Sequence, residues 1–266
     1  MTALDLTPRV ASSGPTTSDT LALVGRCLRR STRQLDTLLL AVALPVMLLL
    51  MFVYVFGGAI SAGMAHASYV DFVVPGIVLL TAGYGASSTA VDVANDITGG
   101  IMDRFRSMPI RSTGVVTGHV VASLARNALS TGLVIAVALL IGFDAGASFG
   151  GWVAALGLVA LYVLAMTWIA VAIGISASGP EAASGFTFVI LFVPYVSSAF
   201  VPVDSMPSVL ESIARWNPVT PVADSVRALL LGHTPATSTV LAALAWCVGL
   251  LVVGRVSAGL LFRRAR

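Results

Sequence analysis

Between Asp92 and Arg111 the chain reads DVANDITGGIMDRFRSMPIR, a compact polar island in a mostly apolar sequence. It holds Asp92, Asp96, Asp103, Arg104, Arg106 and Arg111 around a Gly99-Gly100 break, and Pro109 ends it. Apolar runs flank it on both sides, so its chemistry takes place at a membrane surface. No nucleophile–base pair or metal-ligand cluster accompanies it. His66, His119 and His233 are scattered, and none belongs to an HExxH arrangement. Cys27 and Cys247 lie far apart, in a basic segment and an apolar run, which is neither a disulfide framework nor a zinc pattern. The expectation is no catalytic residue and no metal site. Lysine is absent and every basic side chain except histidine is arginine, as a GC-rich bacterial genome would give. A phosphate-binding loop of the G-x-x-x-x-G-K-[ST] kind therefore cannot occur here, and lysine Schiff-base chemistry is excluded too. If ATP drives this protein, another polypeptide binds it.

The elements that must position this stretch follow from composition. Of the 266 residues, 57% are hydrophobic and 10% charged, with a mean hydropathy of +0.96. A soluble domain carries roughly 25% charged residues. Several apolar runs are long enough to cross a bilayer, which takes about 20 residues. The expected fold is all-α, a polytopic membrane protein rather than a barrel of short alternating strands. Residues 1–18 read as a disordered tail, rich in Ser, Thr, Pro and Gly. In 19–36, Leu21, Val24, Leu28 and Leu35 recur at helical spacing, with Arg26, Arg29, Arg30 and Arg33 on the other face. That pattern suits an amphipathic helix lying in the membrane interface.

Six spans are expected within 37–262, at about 37–56, 72–91, 115–143, 151–175, 185–201 and 239–258, with a basic tail over 263–266. Pro45 should kink the first, and Pro75 should stand in the first turn of the second. Arg126 falls inside the third span, and it is expected to snorkel toward the surface. Before the last span, 207–216 and 222–231 form two short amphipathic helices, the second closed by Gly232. Both are too short to span, and they are expected to lie at the interface or dip into it. Arginines concentrate on one side, while the opposite side receives Arg215 and Arg227. The positive-inside rule then puts both termini and the Asp92–Arg111 stretch in the cytoplasm of a multi-pass plasma-membrane protein. No span carries Asp or Glu near its centre, which argues against an ion-coupled carrier.

This order of elements resembles the permease subunits of type-2 ABC exporters, particularly the daunorubicin-resistance-like branch. Gly99-Gly100-Ile101-Met102-Asp103-Arg104-Phe105-Arg106-Ser107-Met108-Pro109-Ile110 is similar to the family pattern G-x-[LIM]-[DE]-R-[LF]-R-[ST]-[LM]-P. Pro202, Met206-Pro207, Asn217-Pro218-Val219-Thr220, Ala223-Asp224, Arg227 and Leu231-Gly232 resemble its extracellular segment, and the basic helix before the first span is the third shared feature. Many relatives have a Glu in the first part of the cytoplasmic motif, where this chain offers Asp92, Asp96 and Thr98.

The resemblance implies a permease dimer, of identical or paralogous copies, carrying separate ABC ATPase subunits that bind ATP and Mg. This chain itself would hold no cofactor and no nucleic acid. Asn95 to Ser107 is expected to form the coupling helix, with Asn95, Gly99, Gly100, Ile101, Met102, Arg104, Phe105, Arg106, Met108 and Pro109 as its site residues. A path for an amphipathic drug, antibiotic or lipid-like substrate is expected along Tyr84, Ser88, Phe192, Tyr195 and Ser198, since aromatic and hydroxyl groups suit such compounds. Pro207, Asn217, Pro218, Arg227 and Gly232 would shape an extracellular re-entrant pair. A membrane channel without ATP drive, or a structural or assembly subunit, is the alternative.

Overall fold

The structure is a computed structural model that describes Gly25, residues 35–58, 68–100 and 113–264. The described residues form helices and connecting turns, with no strand among them. In chain order they are α1 (Leu35–Met51), α2 (Tyr69–Thr98), α3 (Thr113–Leu140), α4 (Phe149–Ser176), α5 (Pro180–Leu191), α6 (Ser208–Trp216), α7 (Val219–Leu230) and α8 (Thr237–Arg264). α2, α3, α4 and α8 are long and apolar enough to cross a membrane. α1 runs through Pro45 and continues as a wider π-helical turn over Phe52–Phe56. Proline withholds one backbone donor, and membrane helices absorb such local changes of pitch.

α2 is the central post. Its most apolar stretch is 72% buried, against 17% for α8, and it packs against α1, α3, α4, α5 and α7. Small residues let its neighbours approach closely. Gly174 of α4 lies against the Ala90 carbonyl, where an added Cβ would stand 2.6 Å from the oxygen. α8 rests on the outside of this core, against α4 and α7. Turns close the long helices by specific local chemistry. α3 ends at Gly142, at φ +100°, with the Phe143 N–H donating back to the Ala138 carbonyl. α7 ends the same way at Gly232, with His233 donating to Ala228. Both are left-handed caps that favour glycine. Ser148 caps α4 by accepting from the Gly151 N–H at 3.2 Å.

Several expectations need correction. α2 begins at Tyr69, so Pro75 stands in its second turn rather than its first. α2 also runs on to Thr98, which makes Asp92, Asn95 and Asp96 part of the second span's own helix. A helix from Asn95 to Ser107 is therefore interrupted, because Gly99 caps α2 and Gly100 turns at φ +67°. The fifth apolar run is not one long helix. α5 has 12 residues, and Val193–Val196 is a 3-10 turn containing Pro194. The two short helices differ in kind: α7 is packed into the core, whereas α6 leaves Val209, Leu210, Ile213 and Trp216 exposed.

Candidate functional site

At the Gly99 end of the bundle a polar column is built between α2, α3 and α4. Thr89, Asp92 and Asp96 recur at three- and four-residue intervals on α2, which places them along one helical stripe. Facing them, α3 presents His119, Ser123, Arg126 and Asn127. Arg126 is 5% exposed, and its guanidinium donates to the Thr89 hydroxyl at 3.0 Å and toward the Asp92 carboxylate at 3.5 Å. Asp96 is 2% exposed and meets His119 Nε2 at 3.0 Å. Ser123 pairs with Thr167 of α4 at 3.0 Å. Asn127 donates to the Ser123 carbonyl at 2.9 Å and fills the space beside Gly85, where any Cβ would collide with its amide. The expected snorkelling of Arg126 is thus corrected. Its contacts with Thr89 and Asp92 on α2 hold it inside the bundle, away from the surface. His119 likewise stands in a buried hydrogen-bonded pair with Asp96 rather than isolated.

Of the residues expected to couple to an ATPase, Asn95 is half-buried, and its carbonyl accepts the Gly99 N–H at 2.9 Å. Gly99 and Gly100 form the exposed turn. Ile101, Met102, Arg104, Phe105, Arg106, Met108 and Pro109 lie outside the described residues, as does the amphipathic segment before the first span apart from Gly25 and the start of α1.

The residues expected to line a path divide into two groups. Tyr84, Phe192 and Tyr195 come together: the phenol groups of Tyr84 and Tyr195 meet, and an aromatic series continues through neighbouring rings. Phe188 to Phe192 spans 5.1 Å between centroids, Phe192 to Tyr195 6.1 Å, Tyr195 to Phe200 5.1 Å and Phe200 to Phe52 4.9 Å. Phe188 and Phe192 are exposed along this series. Ser88, half-buried, turns its hydroxyl back onto the Gly85 carbonyl at 3.1 Å. Ser198 is separate and buried, donating to Asp224 at 2.7 Å while its N–H meets Thr220.

Ser198 belongs to a second polar assembly, at the Tyr69 end. Arg227 of α7 distributes its donors over the Phe72 carbonyl (3.0 Å), the Ser198 carbonyl (2.7 Å) and Asp224 (2.6 Å), with its guanidinium 3.8 Å over the Phe72 ring. A cavity of about 670 Å³ opens here, with Phe72, Trp216, Asp224, Arg227 and Trp246 among its walls. On exposed α6, Arg215 bridges Glu211 (2.8 Å) and Asp204 (2.7 Å). Glu211 first, then Asp204, holds its guanidinium above the usual pKa, so both arginines at this end are paired.

Asn217 and Pro218 explain their place before α7. The Asn217 amide donates to the Val193 and Val196 carbonyls at 2.8 and 2.5 Å, and its oxygen accepts the Val219 N–H at 2.9 Å. One side chain thereby ties the turn after α5 to the start of α7. Pro207 precedes α6, and Gly232 could not carry a Cβ without striking the Gly146 backbone. Asn217→Ala should lower stability by about 1–3 kcal/mol, because buried carbonyls lose their donors. Thermal unfolding of the purified protein checks this, and Asn217→Asp should fare little better, since it keeps the acceptor and loses both donors.

Sequence reasoning missed the Asp96–His119 and Arg126–Asp92 contacts. The signal was present as matching polar stripes, 89/92/96 and 119/123/126, on two consecutive apolar runs.

Compared with known proteins, residues 18–231 match the family described as ABC-2 type transporter. The chain is 31% identical over 220 residues to the daunorubicin resistance ABC transporter permease protein DrrB1 of Streptomyces coeruleorubidus, covering 82% of this chain and 73% of that protein. It is 21% identical over 248 residues to the probable doxorubicin resistance ABC transporter permease protein DrrC of Mycobacterium tuberculosis, covering 93% of this chain and 89% of the relative.

Proposed function

We propose, from the premise that this chain belongs to the ABC-2 type transporter family, that it is the membrane permease of an ATP-driven exporter for amphipathic compounds. The observation that carries this reading is the similarity to a drug-resistance permease over 82% of the chain. The absence of lysine supports the same division of labour, since ATP and Mg would be held by a separate ATPase subunit. The permease acts as a dimer with six spans and both termini in the cytoplasm of the plasma membrane. α1 and α5, with its following turns, then complete the set begun by the four long helices. The Gly99 end faces the cytoplasm, and the segment after Gly100 docks into the ATPase.

In that docking segment Ile101, Met102 and Phe105 are the apolar anchors, and Arg104 and Arg106 the polar rim, the usual division in a protein interface. Substrate passes along Tyr84, Phe192 and Tyr195, with Ser88 beside them. α6 and α7, the latter tied through its Arg227 to Ser198, close the extracellular exit.

The combined variant Arg104→Glu with Phe105→Ala tests the coupling. It should insert into the membrane normally, yet lose ATPase binding by about thirtyfold or more, the effect of a central interface anchor. Co-purification of the ATPase and its hydrolysis rate in proteoliposomes are the measurements. Unchanged binding and transport would sink the docking role. A wild-type permease that copurifies with no ATPase would favour a channel or an assembly subunit.

A further inference from the structure

We propose that the two polar side-chain contacts between α2 and α3, Arg126 with Asp92 and His119 with Asp96, lock these helices into one rigid lever that carries the ATPase stroke outward. This rests on the reading of the chain as an ABC permease. Four observations point to it. Both contacts fall in the last three turns of α2, immediately before the Gly99–Gly100 break. Arg126, His119 and Asp96 are each at least nine-tenths buried, and Asp92 is 22% exposed in its side chain. The opposite ends of the same two helices are also tied, since Asp71 in the first turn of α2 accepts the Asp144 N–H just beyond α3 at 3.1 Å. Finally, Ser123 and Thr167 give α3 a neutral contact to α4 at the same level, whereas the contacts to α2 involve Arg126 and two carboxylates.

The physical argument is one of discreteness. Sliding α2 past α3 would separate the buried Arg126 guanidinium from its partners and break the buried Asp96–His119 hydrogen bond, and an uncompensated buried charge is strongly unfavourable. Neutral apolar faces resist sliding far less. A push applied after Gly100 therefore moves α2 and α3 together, and displacement at the Gly99 end reaches the Tyr69 end undiminished. Charged residues inside a membrane bundle are rare because they are costly, and they characteristically mark working parts. Asp92, Asp96, His119 and Arg126 are thus positioning residues, acting through the helices rather than on substrate.

The test uses the full complex with its ATPase in proteoliposomes. Spin labels at Leu140 and Leu241, both exposed, report the distance between α3 and α8 without nucleotide and after trapping with ATP and vanadate. Asp92→Asn with Arg126→Gln removes the charge from one contact while keeping both side chains polar, and Asp96→Asn with His119→Gln alters the other. The expected result is a nucleotide-dependent distance shift in the wild type. Each pair variant should retain ATPase assembly and hydrolysis but show a shift about fivefold smaller in population or more, the lower range of allosteric coupling. An undiminished shift in both variants overturns the proposal. So does a loss of shift that only parallels loss of assembly and hydrolysis, which is what a merely structural contact would give. No ATP-dependent shift in an active wild-type complex overturns the lever alone. No ATP hydrolysis with any copurified partner overturns the permease reading, and the lever with it.

Discussion

Gly76→Val should prevent the accumulation of folded protein. Gly76 faces the backbone of Ala199, and a Cβ there would collide with the Ala199 carbonyl oxygen and stand 2.7 Å from its carbon. The obstacle is main chain, so no rotamer change relieves it. α2 would have to move away from the segment around Ala199, opening the core that contains Val73, Ile77 and Phe200. Overpacking of a tight core costs about 1–3 kcal/mol even where side chains can yield; here the cost should exceed that range. Gly157→Val is the control, because nothing lies within 4 Å of a Cβ at that position. Membrane yield and the thermal midpoint in detergent should fall sharply for the first variant and stay near wild type for the second.

Arg227→Met should give the next largest loss. The guanidinium serves two carbonyls, from Phe72 and Ser198, and one carboxylate, from Asp224. It therefore joins α2, the turn after α5 and α7. Methionine fills much of the volume but strands all three acceptors. Asp224 keeps 40% side-chain exposure and its bond from Ser198, so water moderates the penalty. About 2–4 kcal/mol is expected, toward the lower part of the range for breaking a buried pair. Arg227→Lys should recover little of it, since an ammonium cannot present the planar fork or stack on Phe72 in the same way. Adding Asp224→Asn to Arg227→Met should restore part of the lost stability, because the stranded charge is then gone. Thermal unfolding of the three variants orders them.

These two sites also show what the sequence made legible. Four long apolar helices were readable because continuous hydrophobic runs have few alternative uses, and the family was readable from the order of three loose motifs. Asn217 and Arg227 were picked out as members of a motif, but their bonds reach carbonyls 24 and 155 positions away, and no local pattern carries such pairings. Arg126 was misread for a related reason. A lone arginine in an apolar run looks exposed when considered by itself, and its partner Asp92 lies 34 residues earlier. The end of α2 was obscured by polarity. Asp92 and Asp96 looked like part of a separate polar stretch beyond the second span, although a helix longer than the bilayer can carry them without breaking. Gly99 and Gly100 supplied the actual stop. The length of α5 was hidden because hydropathy records how apolar a run is and says little about whether a proline within it halts the helix.

That short α5 has a consequence for the surrounding lipid. Twelve residues of α-helix reach about 18 Å and the Val193–Val196 turn adds about 8 Å, while the hydrocarbon layer is about 30 Å thick. Phe186, Phe188 and Val189 face outward on this element, so wherever it borders lipid it offers acyl chains a low apolar wall. A mismatch of a few ångströms there is met by slight thinning of the bilayer, at a cost of fractions of a kcal/mol per ångström. A shallow dent of this kind brings the headgroup region toward the aromatic rings and shortens the distance an amphiphile travels between leaflet and protein.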